Sequence, residues 1–244
     1  MHIRPPSYLI ERARRINTRL ILALDIHPLD LSTNMRESVF RIVDRLLSKL
    51  TDYVAGVKIG LPAILGLGLD SIRELISRYR EYYYIADLKI ADIGYIAGIL
   101  CKYAYQSGFD AVVSHSIIGL KNALERVTES MHNVGGGVYA VVAMSHEGAK
   151  EVLNRNFDIL LQICLKANVD GFILPATQPK YISKARAICK DKIILSPGVI
   201  YQGAKVGTAV RYGADFEIIG RGIYAADDPV KSAMEYASKL RWIE

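Results

Sequence analysis

Three charged residues interrupt an otherwise apolar segment at 82–93, where Asp87, Lys89 and Asp92 follow the spacing D-x-K-x-x-D. The segment begins as an aromatic and β-branched run, which is typical of a buried strand. Because side chains alternate across a strand, Asp87 and Lys89 are expected on one face and Asp92 beyond the strand end. A buried charge pair is costly unless it fixes the strand register or performs chemistry, and the pattern alone leaves both explanations open.

Charged residues also end the two strand-like segments that precede this one. Asp25 closes the first and Lys58 lies in the second, ahead of Asp87 and Lys89 in the third. In a parallel barrel the carboxyl ends of neighbouring strands converge, and active sites form there. One such charge would be an ordinary rim residue. Four charges of alternating sign on three adjacent strand ends, which we call the charge array, favour a functional site.

The last two strand-like segments end in glycine-containing turns. Ser-Pro-Gly-Val at 196–199 closes the seventh, and Gly-Arg-Gly-Ile at 220–223 closes the eighth. Barrel enzymes commonly hold phosphate at these two loops, where glycines let backbone N–H groups approach the anion. Arg221 can donate two parallel hydrogen bonds to it. Gly-Arg-Gly alone would fit a turn with a solvated arginine, but its place after the eighth strand favours a phosphate site.

Strand-like and helix-like segments alternate along the whole chain, which implies parallel βαβ units. Strands are predicted at 20–26, 53–59, 82–89, 111–114, 137–143, 171–174, 192–196 and 215–220, and helices at 34–50, 70–80, 95–106, 119–131, 157–167, 180–189, 203–212 and 230–240. Eight pairs in about 250 residues fit one α/β domain over 1–244, a (β/α)₈ TIM barrel. A doubly wound open sheet is the alternative, but no G-x-G-x-x-G follows the first strand.

Composition narrows the class of protein. The 244 residues are 51% apolar and 23% charged, which suits a domain with a full core, and the net charge of +6 suits an anionic small substrate. No apolar run approaches the ~20 residues of a membrane span, and no signal-peptide core is seen, so no membrane association is expected. The three cysteines are far apart and form neither a metal spacing nor a disulfide framework, so reduced thiols in the cytoplasm are expected.

Residues 1–19 form a basic N-terminal helix or arm. One acidic residue, Glu11, faces five arginines: Arg4, Arg12, Arg14, Arg15 and Arg19. Such an arm could touch nucleic acid. The favoured interpretation is an amphipathic helix packed on the barrel with its arginines in solvent, because no aromatic residues interleave with the basic ones. No nucleic-acid partner is therefore expected.

With these residues assembled, the chain resembles the orotidine 5′-phosphate decarboxylase family over nearly its whole length. The motifs that carry the resemblance are Leu-Ala-Leu-Asp25, Val-Lys58-Ile-Gly, Asp87-Leu-Lys89-Ile-Ala-Asp92-Ile93, Met144-Ser145-His146, Ser-Pro197-Gly-Val with Gln202, and Ile-Gly220-Arg221-Gly-Ile-Tyr. The resemblance implies decarboxylation of orotidine 5′-phosphate to uridine 5′-phosphate in pyrimidine biosynthesis. It also implies a homodimer that uses neither metal nor cofactor.

The resemblance also implies roles for single residues. Lys89 would be the proton donor, in a catalytic set completed by Asp87, Lys58 and an Asp92 supplied by the partner subunit. The other substrate-binding positions are Asp25 with Lys58 on the ribose, Ser145 on the pyrimidine, Gln202, Gly220 and Arg221 on the phosphate, and Ile93, Pro197, Gly198 and Val199. Carboxylates beside Lys89 would favour its ammonium form, which can stabilise and then protonate a carbanion at pyrimidine C6. Asp87 would press on the substrate carboxylate.

Two departures from the family pattern are visible. Ile96 stands where relatives have a threonine that bonds to the ribose, and the strand-seven loop at 200–206 is less glycine-rich than is common. The closest alternative function is that of the Mg²⁺-dependent 3-keto-gulonate-6-phosphate decarboxylases and hexulose-phosphate synthases. These share D-x-K-x-x-D but carry a carboxylate where Lys58 stands, and a cation there would repel a metal. A non-catalytic or nucleic-acid-binding barrel is the second alternative, against which the intact charge array argues.

Overall fold

The computed structural model describes residues 3–242, which form a closed barrel of eight parallel strands hydrogen-bonded in chain order. The strands are β1 Leu20–Leu24, β2 Gly56–Gly60, β3 Tyr83–Ile90, β4 Ala111–His115, β5 Gly137–Val141, β6 Gly171–Ile173, β7 Ile193–Pro197 and β8 Phe216–Ile219. β8 pairs with β1, which closes the barrel. The predicted (β/α)₈ fold class is therefore confirmed.

Helices surround the barrel and bury apolar stripes against it. They are α1 Pro6–Arg15, α2 Thr33–Lys49, α3 Leu61–Leu67, α4 Leu69–Arg78, α5 Gly94–Gln106, α6 Glu125–His132, α7 Phe157–Lys166, α8 Pro179–Ile188, α9 Thr208–Arg211, α10 Arg221–Tyr224 and α11 Pro229–Lys239. In α2, for example, Val39, Val43, Leu46 and Leu47 are the buried residues, which is the i, i+4, i+7, i+8 spacing of one helix face. None of the described helices is long and apolar enough to cross a membrane.

Three helices differ from the sequence prediction. α3 follows β2 without a break and was not predicted. The helix predicted at 119–131 becomes regular only at Glu125, because Lys121 is extended and Asn122 has a φ of 53°. The helix predicted at 203–212 shrinks to α9, because Gly203 and Gly207 have positive φ values that an α-helix cannot contain.

The N-terminal segment packs under the barrel, but the expectation that its arginines face solvent is wrong for two of them. Arg12 is 3% exposed and donates hydrogen bonds to the carbonyls of Ala55, Thr51 and Val54. Arg4 is 9% exposed and pairs with the buried Asp110 at 2.6 Å. A buried guanidinium is tolerated where carbonyls and a carboxylate take its donors, and these long-range partners were not visible as a local pattern.

Candidate functional site

A cavity of about 410 Å³ opens at the carboxyl ends of the strands. It brings together eleven of the residues predicted for the site: Asp25, Lys58, Asp87, Lys89, Ser145, Pro197, Gly198, Val199, Gln202, Gly220 and Arg221. Two predicted residues, Asp92 and Ile93, do not line it. The charges come from β1 to β3 and the glycine turns from β7 and β8. Between them lies an apolar floor that includes Val141, Ile173 and Ile218.

Asp87 is the centre of the charge array. One of its oxygens lies 2.5 Å from the Lys58 Nζ, and both lie 2.9 Å from the Lys89 Nζ. The side chains of Lys58 and Asp87 are 8% and 7% exposed, whereas that of Lys89 is 43% exposed. Lys58 and Asp87 thus form a buried ion pair, and the Lys89 ammonium that is bonded to it faces the cavity.

Burial and neighbouring charges shift the pKa values of Lys58 and Asp87 in opposite directions. Burial alone would lower the pKa of Lys58, but the carboxylates of Asp87 and Asp25 outweigh it and raise that pKa. Burial alone would raise the pKa of Asp87, but Lys58 and Lys89 outweigh it and lower that pKa. Both groups therefore carry their charges at neutral pH.

Lys89 reaches Asp87 through an irregular backbone. Its φ is +45°, in the left-handed region that a non-glycine residue rarely adopts. The β3–β4 register shifts between Ala86 and Ile90, and the Ser114 hydroxyl donates to the Ile90 carbonyl at 3.0 Å. The predicted contact between Asp87 and Lys89 is present, but simple strand alternation does not produce it. The irregularity in β3 directs the Lys89 side chain towards Asp87, and such irregularities are concentrated beside functional sites.

The Asp25 carboxylate lies against Gly60. A Cβ at Gly60 would be 1.8 Å from the Asp25 Oδ1, so the carboxylate occupies the space that any side chain at position 60 would need. Gly60 pairs in register with Asp87 across β2 and β3. A side chain at position 60 would displace the Asp25 carboxylate, which interacts with the Lys58 ammonium, from this position.

The opposite side of the cavity carries the groups predicted for phosphate. Gly198 has a φ of +101°, and Arg221 begins α10 directly after β8. Gln202 crosses the cavity mouth, where its Oε1 accepts a hydrogen bond from the Ser145 hydroxyl at 2.8 Å. This bond joins the loops after β5 and β7, so one bound molecule could contact both.

Asp92 and Ile93 lie outside their own chain's cavity. Asp92 is exposed, and its carboxylate accepts the N–H of Ile93 at 2.7 Å. Ile93 and Tyr95 are 67% and 76% exposed beside a second groove that reaches Arg126 on α6. Ile96 is absent from the residues that line the first cavity. These positions belong to an outward surface of the chain.

Sequence reasoning missed two aromatic residues of the cavity, Tyr201 and Tyr224. Tyr201 adjoins the predicted Gln202, and Tyr224 ends the quoted motif at 219–224. Only that proximity could have indicated them, because their ring positions depend on the fold of two separate loops. Within residues 3–242, no three His, Cys, Asp or Glu side chains are grouped so that they could hold a metal ion.

Comparison with known proteins gives a consistent result. The model of the orotidine 5′-phosphate decarboxylase / HUMPS family matches residues 18–236. The orotidine 5′-phosphate decarboxylase of Methanosarcina mazei is 34% identical over 226 residues, which cover 92% of this chain and 96% of that protein.

Solved structures agree with the family match. The crystal structure of the Sulfolobus solfataricus orotidine 5′-monophosphate decarboxylase has a TM-score of 0.77 at 30% identity, covering 91% of this chain and 96% of that chain. The Methanocaldococcus jannaschii enzyme complexed with the inhibitor BMP has a TM-score of 0.76 at 28% identity, covering 92% and 99%. By its site motifs and by these matches, the chain belongs to the orotidine 5′-phosphate decarboxylase family.

Proposed function

We infer that this chain converts orotidine 5′-phosphate to uridine 5′-phosphate and CO₂. The observation that carries this conclusion is the Lys58–Asp87–Lys89 network, which fixes one ammonium at the cavity wall opposite Arg221. The reaction needs a cation at one end of the substrate and an anion-binding loop at the other. The cavity offers both.

In the proposed mechanism the bond between C6 and the carboxylate carbon breaks, and its electron pair stays on C6. The Lys89 ammonium stabilises this charge as it develops and then transfers one proton to C6. The neutral amine regains its proton from water. Asp87, which Lys58 keeps ionised, lies where it would oppose the substrate carboxylate and favour its loss.

The remaining groups would bind the parts of the substrate that do not react. We propose that Asp25 and Lys58 bind the ribose, Ser145 the pyrimidine, and Gln202, Gly220 and Arg221 the phosphate, with Pro197, Gly198 and Val199 forming the adjacent wall. Binding energy from the phosphate can then hold C6 against Lys89. Because Ile96 has no hydroxyl, the ribose would lack the bond that threonine makes in relatives.

Asp92 and Ile93 are proposed to complete the cavity of a second copy of the chain in a homodimer. Their exposure on an outward surface supports this role, because neither side chain serves its own cavity. Two-fold symmetry would make the exchange mutual. The three cysteines are free and buried, which supports the cytoplasm as the proposed location.

The activity is tested by following the loss of orotidine 5′-phosphate absorbance with and without EDTA. We expect equal rates, since Lys58 occupies the place of the carboxylate that Mg²⁺-dependent relatives use. A rate abolished by EDTA and restored by Mg²⁺ would instead support the sugar-phosphate alternative.

The shared site is tested by complementation. Lys89→Ala and Asp92→Ala chains, each nearly inactive, are mixed and refolded, so that about half the dimers are mixed and about a quarter of all sites are wild type by symmetry. Once subunit exchange is verified, a remixed sample that shows only the summed activity of the two separate variants would mean that Asp92 acts in the active site of its own chain.

A further inference from the structure

Three consecutive side chains in the loop after β7 reach three different places. Ile200 packs over Gly222, where a Cβ would lie 2.9 Å from its Cδ1. Tyr201 lies under Arg221, with 4.4 Å between the guanidinium carbon and the ring centroid. The third side chain, Gln202, bonds to the loop after β5. This segment thus fastens the loop after β7 to the loop after β8.

The turn that aims these side chains is unusual. Ile200 is β-branched yet has a φ of +68°, a backbone conformation that such residues rarely adopt. Two hydrogen bonds close the turn, from the Ile200 N–H to the Ala204 carbonyl at 2.8 Å and from the Gly203 N–H to the Ile200 carbonyl at 3.0 Å. Strain of this kind persists where the surrounding contacts fix it, and here it places an aromatic ring directly on the arginine.

The Arg221 head group has no hydrogen-bonded anchor among the described residues. Across residues 3–242, no carboxylate or carbonyl accepts a hydrogen bond from its guanidinium, whereas Arg78 on α4 pairs with Asp44 and Arg186 on α8 pairs with Asp215. The guanidinium carbon lies over the ring and no acceptor among the described residues takes its N–H groups, so these donors are free for a ligand. Tyr201 is 55% exposed, so the pair lies at the cavity mouth where an anion can arrive.

We propose that Tyr201 is a positioning residue that orients Arg221 for the substrate phosphate by stacking under its guanidinium. The inference rests on the phosphate role of Arg221 in the proposed function. The ring restricts the arginine before the ligand arrives, so less conformational freedom is lost on binding. The ring face performs this task, and the phenol hydroxyl takes no part in it.

The test compares Tyr201→Phe and Tyr201→Leu, each alone and combined with Arg221→Ala, by calorimetric titration with uridine 5′-phosphate and with uridine. We expect Tyr201→Leu to weaken uridine 5′-phosphate binding about fivefold, as the loss of a partly exposed cation–π contact predicts, and to leave uridine binding unchanged. Tyr201→Phe keeps the ring and should bind within about twofold of wild type. In the Arg221→Ala background, Tyr201→Leu should have no further effect.

Three kinds of result would overturn the inference. An equal loss for Tyr201→Phe and Tyr201→Leu would assign the role to the hydroxyl. A loss of uridine binding in Tyr201→Leu, or an undiminished effect in the Arg221→Ala background, would show a general role in loop structure. If Arg221→Ala itself leaves uridine 5′-phosphate binding unchanged, the phosphate role in the proposed function fails, and that signature is distinct from the other two.

Discussion

The two ends of the barrel hold their charged side chains in opposite ways. At the amino end, each of three carboxylates accepts a backbone N–H from the preceding strand at 2.8 Å: Asp110 from Tyr84, Asp170 from Val138 and Asp215 from Ile194. Each also faces a basic side chain, namely Arg4, His132 and Arg186 respectively. At the carboxyl end, the hydrogen bonds that Asp87 accepts within residues 3–242 come from the ammonium groups of Lys58 and Lys89, and Lys89 is half exposed in a left-handed conformation.

This difference indicates that the charged residues at the amino end stabilise the fold, whereas those at the carboxyl end serve the reaction. A carboxylate whose bonds are all made within the fold holds neighbouring elements together and has little capacity left for a ligand. A charge held in an unusual backbone conformation and open to a cavity has bonds still to make, which is the condition for catalysis. Substitutions at the amino end should therefore reduce stability, and substitutions at the carboxyl end should reduce activity.

Lys89→Ala should have the largest effect. Removing the proposed proton donor and the cation that stabilises C6 should lower kcat by at least about 10⁴-fold. Because Lys89 is half exposed, the midpoint of thermal unfolding should stay within about 4 °C of wild type. Steady-state kinetics and calorimetry measure the two quantities, with Lys102→Ala on the outer face of α5 as the matched control. Substantial activity in Lys89→Ala would remove the lysine from the chemistry.

Arg4→Ala should show the reverse pattern. It leaves the Asp110 side chain, which is 0% exposed, without its closest cation, and should lower the free energy of unfolding by about 3 kcal/mol. Arg80 lies 3.8 Å from the same carboxylate, which keeps the loss near the lower end of the usual range. Urea unfolding measures it, and Arg15→Ala, an exposed arginine at the end of α1 in the same N-terminal segment, is the control. Unchanged stability with reduced kcat would break the division between the two ends.

Arg221→Ala tests the role of an arginine at the carboxyl end of the barrel. It should weaken uridine 5′-phosphate binding by roughly 2–4 kcal/mol, the loss expected for a charge-assisted bidentate contact, with unfolding little changed. Titration calorimetry compares it with Arg211→Ala on α9. An unaltered affinity would exclude Arg221 from the phosphate site.

The smallest expected effect is the pH dependence of the stability that the His132–Asp170 pair contributes at the amino end. The hydrogen bond to Asp170 raises the pKa of His132, although burial opposes it. A raised pKa in the folded state means that the stabilisation is complete below about pH 6.5 and is lost as pH rises through the folded value. Since a third of the side chain is exposed, the contribution should be below about 1 kcal/mol. The stability difference between wild type and His132→Gln should thus be larger at pH 5.5 than at pH 8.5, and a difference independent of pH would contradict this.

The amino-end carboxylates share a local sequence pattern. Each follows a residue with positive φ by two positions: Gly108 at 94°, Asn168 at 54° and Gly213 at 103°. The repeat Gly/Asn-x-Asp before β4, β6 and β8 is therefore visible in the sequence, whereas the basic side chain that each carboxylate meets is not. Arg4 and Asp110 are separated by 106 positions, and no periodicity connects them.

The sequence was sufficient to predict the alternation of strands and helices, and so the barrel, because hydrophobic periodicity is a local property of the chain. It also determined which charges end β1 to β3 and which turns end β7 and β8, since strand ends are marked by nearby residues. Four features could be seen only in the folded chain: the left-handed turn at Lys89, the contact of Asp25 with Gly60, the burial of Arg4 and the ring of Tyr201 under Arg221. Each of these depends on segments far apart in the chain that meet only when the barrel closes.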